Sequence, residues 1–304
     1  MSVFATLDVG SNSVLLYVVR VEGDKTEVLV DRADLSRLGD GLRATGALGE
    51  VPMTRTVEAL SGMVAEARGL GAEQIAAVGT MALRTATNAD QFLARVEAAT
   101  GVAIEVIPGE EEARLSYMAV RSGLPLTAQK VIVFDVGGGS TEFIYGDGDQ
   151  IARRFSLDVG ALRLTEEHLR SDPVSEEELI ALRVALVEEL AAVEPEVADA
   201  LVGMGGAITN MVAVGHELTE YDADVVQGAA LTVAEVERQL ELYRAMPVAD
   251  RAKLPGLQPK RADTILAGAA VVRTVMSRTG MNTVLVSVRG IRHGLMLDRF
   301  GVRG

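Results

Sequence analysis

The sequence predicts an α/β protein made of two related domains, and two observations predict it. β-prone apolar runs alternate with segments of helical periodicity along all 304 residues. A strand that ends in aspartate and turns through glycine and hydroxyl residues into a second strand occurs twice, once near the N-terminus and once in mid-chain. With 48% hydrophobic residues, the chain has ample material for two cores.

The mid-chain copy is the fuller one. Residues 131–145 run through an apolar stretch to Asp135, turn at Gly137, Gly138 and Gly139, and leave by Ser140, Thr141 and Glu142 into another β-prone run. Glycines lack a Cβ and accept positive φ, so their N–H groups can converge on an anion close to the backbone. Asp135, at a strand end, suits a hard cation or its bound water. Taken alone, the pattern fits a hairpin with a glycine bulge equally well. The N-terminal copy, Asp8, Gly10, Ser11, Asn12 and Ser13, repeats the order aspartate, glycine, hydroxyl. The duplication predicts two phosphate-binding hairpins facing across a cleft. A third look-alike at 157–160 leads toward a helix, so Asp158 reads as a helix-start residue.

Strands are expected at 3–7, 14–19 and 26–30, then a glycine-punctuated loop at 37–42. Val57, Leu60, Val64 and Ala67 set a helix over 52–68, which Gly69 and Gly71 stop. A strand at 75–78 precedes residues 79–88, where Asn88 and Gln91 read as a capping box. After a strand at 103–107, Glu110, Glu111 and Glu112 fall in the first turn of a helix, where they suit the dipole. Residues 122–129 read as a connection between domains. Beyond 131–145 come a strand at 151–157 and two helices, the second opening with the box Ser175 and Glu178. Residues 201–210 are a strand running through Gly205 and Gly206 into a helix start; helices at 233–243 and 262–276, a strand at 283–288 and a helix at 291–300 complete the chain. The expected domains are 1–122 and 123–304, with the C-terminal helix at 291–304 a candidate addition to the first.

Composition excludes several functions. A net charge of −14 disfavours nonspecific DNA or RNA binding, and 4% aromatics without tryptophan leave little for base stacking. The absence of cysteine removes disulfides, thiol catalysis and a cysteine zinc site. His168, His216 and His293 are too widely spaced for a histidine metal motif. The longest uncharged run, 200–216, carries four glycines and makes a poor membrane span. Asp8 and Gly10 interrupt the N-terminal apolar run, so no signal peptide is expected and the cytoplasm is the expected location.

Five motifs then stand in order: Asp8 to Ser13; Gly79-Thr-x-Ala-Leu-Arg84 through Asn88; Gly109-x-Glu-Glu-Ala-Arg114; Asp135 to Glu142; and Arg261-Ala-Asp263. Carrying them, the sequence resembles the exopolyphosphatase/guanosine pentaphosphate phosphohydrolase family of the actin-like ATPase superfamily. Ser287, Arg292 and Gly294 fit the family's late pattern more loosely. The resemblance implies two actin-like, ribonuclease H-like domains. It also implies magnesium-dependent hydrolysis of a terminal phosphoanhydride, in inorganic polyphosphate or in guanosine pentaphosphate (pppGpp). By motif position Glu111 would be the general base and Arg84 the clamp on the terminal phosphoryl group. Asp135, Glu142 and Asp8 would hold Mg2+ or another divalent cation. Ser11, Asn12, Ser13, Gly137, Gly138, Gly139, Ser140, Gly205, Gly206, Arg261 and Arg292 would bind phosphate. Outside the family, Glu111 also reads as a dipole-stabilising residue, Arg84 as a surface ion-pair partner and Glu142 as an exposed hairpin carboxylate.

Two departures matter. The long members carry a C-terminal region that this sequence lacks, so the resemblance is to the short, two-domain type, with short chains as the expected substrate. Ala207 stands where the third glycine turn usually has a hydroxyl, which argues against tight nucleotide binding and, with the Gly109 motif, against the remoter readings of an actin-like kinase or a nucleotide sensor. Arg153, Arg154 and Arg163, and the arginines of 287–304, are candidate basic clusters that would steer a polyanion. A homodimer is left open.

Overall fold

The computed structural model describes residues 1–196 and 198–303; Gly304, where the expected second region ends, lies outside the described residues. The chain divides into two compact units, Met1–Ser122 with Arg289–Gly304, and Gly123–Val288. The C-terminal segment therefore belongs to the first unit, and the second stops at Val288.

In the first unit β1 (Ser2–Val9), β2 (Val14–Glu22) and β3 (Lys25–Asp34) form an antiparallel meander. The helices α1 (Leu42–Thr45) and α2 (Glu50–Gly69) lead to β4 (Ala72–Gly79), which lies parallel to β1. Next come α3 (Met81–Thr85), α4 (Ala89–Thr100), β5 (Glu105–Val106) and α5 (Gly109–Gly123). The sheet order is β3-β2-β1-β4-β5. β1 is central and covered on both faces, hence its continuous apolar run. β3 is longer than the 26–30 expected because it is an edge strand: Glu27, Asp31, Arg32 and Asp34 hide its pattern while its ladder to β2 continues to Asp34. Asn88 does not form the expected capping box. It precedes α4, but its side chain accepts from the Leu48 N–H at 2.7 Å and donates to the Leu48 carbonyl at 3.0 Å, tying the helix start to the loop before α2. The C-terminal helix, Ile291–Phe300, packs Ile291 and Leu295 against Val78, Ile107 and Leu115, and Phe300 stacks on Phe4 with centroids 4.7 Å apart.

The second unit repeats that plan. β6 (Lys130–Val136), β7 (Thr141–Asp147) and β8 (Gln150–Leu157) are the antiparallel meander. α6 (Ala161–His168) and α7 (Glu176–Glu189) lead to β9 (Ala200–Met204), parallel to β6. The chain continues through α8 (Gly206–Gly215), α9 (Ala223–Val226), β10 (Ala230–Thr232), α10 (Val233–Ala245) and α11 (Val248–Arg251). A 3-10 turn, Pro259–Arg261, then α12 (Ile265–Thr279) and β11 (Thr283–Val286) complete it. The order is β10-β11-β9-β6-β7-β8, so β8-β7-β6-β9-β11 matches β3-β2-β1-β4-β5, with β10 added antiparallel at the edge. The box at Ser175 and Glu178 forms as expected. Asp158 is exposed before a helix whose cap is Gly160, and its side chain caps nothing there. α12 is buried nearly all round, which its small residues Ala267, Gly268, Ala269 and Ala270 permit.

Candidate active site

The two turns share one wiring, each inside its own unit. In the second unit the Gly137 N–H donates to the Ser140 carbonyl at 2.9 Å. The Gly137 carbonyl accepts from Ala161 N–H at 3.0 Å, and that of Gly138 from Leu162 at 2.9 Å and Arg163 at 3.1 Å. A trans peptide points its N–H opposite to its C=O. Pinning those carbonyls with the first turn of α6 therefore aims the N–H groups of Gly138 and Gly139 the other way, side by side, as an anion nest requires. Gly160 makes this approach feasible: a Cβ there would collide with the Gly138 carbonyl. Gly137 is not in the left-handed region; a Cβ there would stand 3.0 Å from the Ser140 carbonyl oxygen, so of the two properties of glycine the turn uses the missing Cβ at this position.

In the first unit Gly10 N–H donates to the Ser13 carbonyl at 2.9 Å. Arg37 N–H reaches the Asn12 carbonyl at 3.0 Å and Gly39 N–H the Ser11 carbonyl at 2.8 Å, aiming the N–H groups of Asn12 and Ser13 away. A loop here does what a helix start does in the other unit. Arg55 holds that loop by donating to the Ser36 and Arg37 carbonyls and to Asp40. Ser11 and Asn12 are buried, and Asn12 Oδ1 has no hydrogen-bond partner among the described residues.

The strand ends differ between the copies. Asp135 stands directly opposite Glu142 across the β6–β7 ladder, so both carboxylates leave the same face. Glu142 is 2% exposed, and Ser156 Oγ donates to its Oε1 at 2.8 Å, so it is not the exposed hairpin carboxylate of the plain reading. Two like charges in register are destabilising, and a cation between them reverses that. Opposite Asp8, which is also buried, the ladder carries Leu15, so the carboxylate pair forms in the second unit alone. Gly205, at φ 96, lies against this pair: a Cβ there would stand 2.8 Å from Asp135 Oδ1. Gly206 opens α8 beneath the guanidinium of Arg261. The second unit thus brings together Asp135, Glu142, the 137–140 turn, Gly205, Gly206 and Arg261. The one group of three metal-capable side chains found among the described residues lies elsewhere, at Glu167, His168 and Glu189, where Arg163 already pairs with both glutamates.

In the first unit β4 ends at Gly79, and Thr80 turns the chain into α3, whose single turn carries Arg84. Arg84 Nη1 donates to the Ile107 carbonyl at 2.9 Å and pairs with Glu112 Oε1. Glu112 is 2% exposed. Arg84 is accordingly no surface ion-pair residue. Glu111, the expected base, is bound by Arg114 through Nε at 2.9 Å and Nη2 at 2.7 Å, and Arg114 also reaches Asp298 at 2.7 Å. The Glu111 hydrogen bonds, with those of Asp298, raise the pKa of Arg114. Neither Glu112 nor Arg114 is among the site residues expected from the sequence, although helical periodicity already sets the two glutamates apart. Glu112, Leu115, Ser116 and Ala119 share the buried stripe of α5, whereas Glu111 shares the polar stripe with Arg114 and Met118.

Arg292 Nε donates to Asp31 Oδ1 at 2.7 Å, and its backbone carbonyl accepts from Thr6 at 2.8 Å. Beside it, His293 Nδ1 accepts the Gly290 N–H at 3.1 Å, which leaves the proton on Nε2, 3.1 Å from Asp31 Oδ2. The His293 ring packs on Tyr17 with centroids 4.4 Å apart. Burial, seconded by the Arg292 charge, lowers the His293 pKa from 6.5 to about 4. Burial pushes Asp31 up, but the bonds and charges of His293 and Arg292 outweigh it and hold Asp31 below its ordinary value. The unfolded chain therefore binds more protons than the folded one between pH 4 and 6.5, so His293 costs stability as pH falls through that window. Replacing His293 by Gln should flatten the fall in unfolding free energy between pH 6.5 and 4.5 in denaturant titrations, against a steeper wild-type slope. Of the basic clusters, Arg153 bonds Glu194 and stacks on Phe155, Arg163 is claimed by Glu189 and Glu167, and Arg299 by Glu105.

The duplicated sheet plan, with an aspartate-glycine turn at the head of each copy, is that of the actin-like phosphotransferases and phosphohydrolases. The chain belongs to the Ppx/GppA phosphatase family, whose model matches residues 17–301. It is 32% identical over 315 aligned positions to "Exopolyphosphatase 2" of Mycobacterium tuberculosis, covering 98% of each. The Ppx/GppA family member of Aquifex aeolicus, 32% identical, superposes with a TM-score of 0.83 over 98% of this chain and 97% of that one. An exopolyphosphatase from Cytophaga hutchinsonii, at 23% identity, shares the fold with a TM-score of 0.90, covering 98% of each. Among the described residues no helix is long and apolar enough to cross a membrane.

Proposed function

We propose that this chain hydrolyses the terminal phosphoanhydride of inorganic polyphosphate and releases orthophosphate, with Mg2+ or a related divalent cation. The observation that carries this reading is the doubled turn: within each unit, pinned carbonyls turn a pair of backbone N–H groups away from their anchors, an arrangement suited to phosphate oxygens. Phosphoryl transfer asks a protein chiefly for positioning and charge neutralisation, which N–H nests, Arg84 and Arg261 supply. Ser11, Asn12, Ser13, Ser140, Gly205 and Gly206 are assigned to the same phosphate-binding role, and Arg292 to it on motif position only.

Asp135 and Glu142 would hold the cation. The donor set fits: Mg2+ favours one or two carboxylates and completes its shell with water and phosphate oxygens, and these two carboxylates stand in register. Asp8 is proposed as a third contributor from its motif. When bound, the ion would neutralise charge on the phosphate oxygens.

For activating water, we assign Glu112 ahead of Glu111. Glu112 is a buried carboxylate that touches Arg84 through Oε1, whereas both oxygens of Glu111 are bound by Arg114. A base beside the phosphoryl-clamping arginine is where an attacking water has to be oriented.

The test is phosphate release from short polyphosphate, long polyphosphate, guanosine pentaphosphate and ATP, with and without Mg2+. Metal-dependent release from polyphosphate is expected, short chains included. Brisk hydrolysis of the guanosine compound with none from either polyphosphate would replace this reading with pppGpp hydrolysis in the same site.

A further inference from the structure

The guanidinium of Arg261 stands at the head of α8. It lies across Gly206, the first residue of α8, where a Cβ would run into its Cζ and both terminal nitrogens. The N-terminal end of a helix is its positive end, and no acidic residue stands in the first turn of α8. An anion received by the helix N–H groups and the guanidinium together gains from both.

One set of contacts that fixes the side chain in that position is a closed relay. Gln258 Oε1 accepts from Arg261 Nε at 2.9 Å. The Gln258 backbone N–H donates to Asn210 Oδ1 at 2.7 Å, and Asn210 Nδ2 donates to the Gly206 carbonyl at 2.9 Å. Asn210 is 2% exposed and spends both ends of its amide on this link. The relay starts at the residue over which Arg261 lies and returns to it. The adjoining Asp135 carboxylate, beside Gly205, sets the subsite next to the carboxylate pair.

We infer that Gln258 and Asn210 are positioning residues that fix Arg261 over the first turn of α8, and that they set the grip on a phosphate-class anion without taking part in bond breaking. The inference rests on the functional reading above and extends it to two residues outside its motifs.

Gln258→Met keeps the length of the side chain and removes the acceptor. A lost hydrogen bond to a charged donor predicts about a tenfold rise in the Kd for tripolyphosphate by calorimetry and in KM for phosphate release, with kcat within about twofold. In an Arg261→Gln background the same change should add less than about twofold, because the group it positions is gone. Asn210→Ala, one step further back, should act in the same direction. Unchanged affinity in Gln258→Met, or a full effect of Gln258→Met in the Arg261→Gln background, overturns the inference and leaves the functional reading standing. A wild-type protein that binds no tripolyphosphate overturns both.

Discussion

Glu112→Gln is expected to lower turnover at least about a hundredfold, since general-base assistance is worth roughly 10²–10⁴-fold. The amide keeps an oxygen for Arg84 but cannot take a proton from water. KM should move far less than kcat, because the lost interaction belongs to the transition state. The variant also removes the buried carboxylate charge that pairs with Arg84, so some stability falls with it. A melting curve separates that loss from the catalytic one. Glu111→Gln is the necessary comparison: it removes a carboxylate that Arg114 already occupies, and its effect on kcat should be under about tenfold. Should Glu111→Gln abolish turnover and Glu112→Gln leave it near normal, the base is Glu111 and the Arg114 pair opens in the reacting complex.

The contrast between these neighbours shows what a sequence conveys and what it withholds. The turns were legible because their chemistry is local: an aspartate, a glycine and a hydroxyl at fixed spacing need only the strand on either side. Their carbonyl anchors were not, since Arg37, Gly39 and residues 161–163 reach back from beyond the next strands. Asn88 has the residue type of a cap, and its competing partner, Leu48, lies forty positions earlier. The edge strand β3 was foreshortened because an edge needs no apolar alternation. The acid triplet was read through the helix dipole, which acts alike on Glu110, Glu111 and Glu112. What separates them is the angle of each around α5, and that becomes decisive only once Arg84 arrives from α3.

Asp135→Asn should alter stability and metal response in opposite senses. Without metal, Asp135 and Glu142 face each other in register, and replacing one carboxylate by an amide removes the repulsion between the two. The variant is therefore expected to melt slightly higher than wild type in chelator. Adding Mg2+ should reverse the order. Wild type gains stability as the ion binds the folded state, by RT ln(1 + [L]/Kd), whereas the variant has lost a ligand and gains little. Phosphate release should fall with it, at Mg2+ concentrations that saturate the wild type. The melting shift reads metal binding without recourse to turnover, so it separates loss of the ion from damage to the turn. An unchanged Mg2+ titration in Asp135→Asn would place the cation elsewhere. The same titration in Asp8→Asn then decides between the two strand ends: Leu15, opposite Asp8, predicts a much smaller change there than at Asp135.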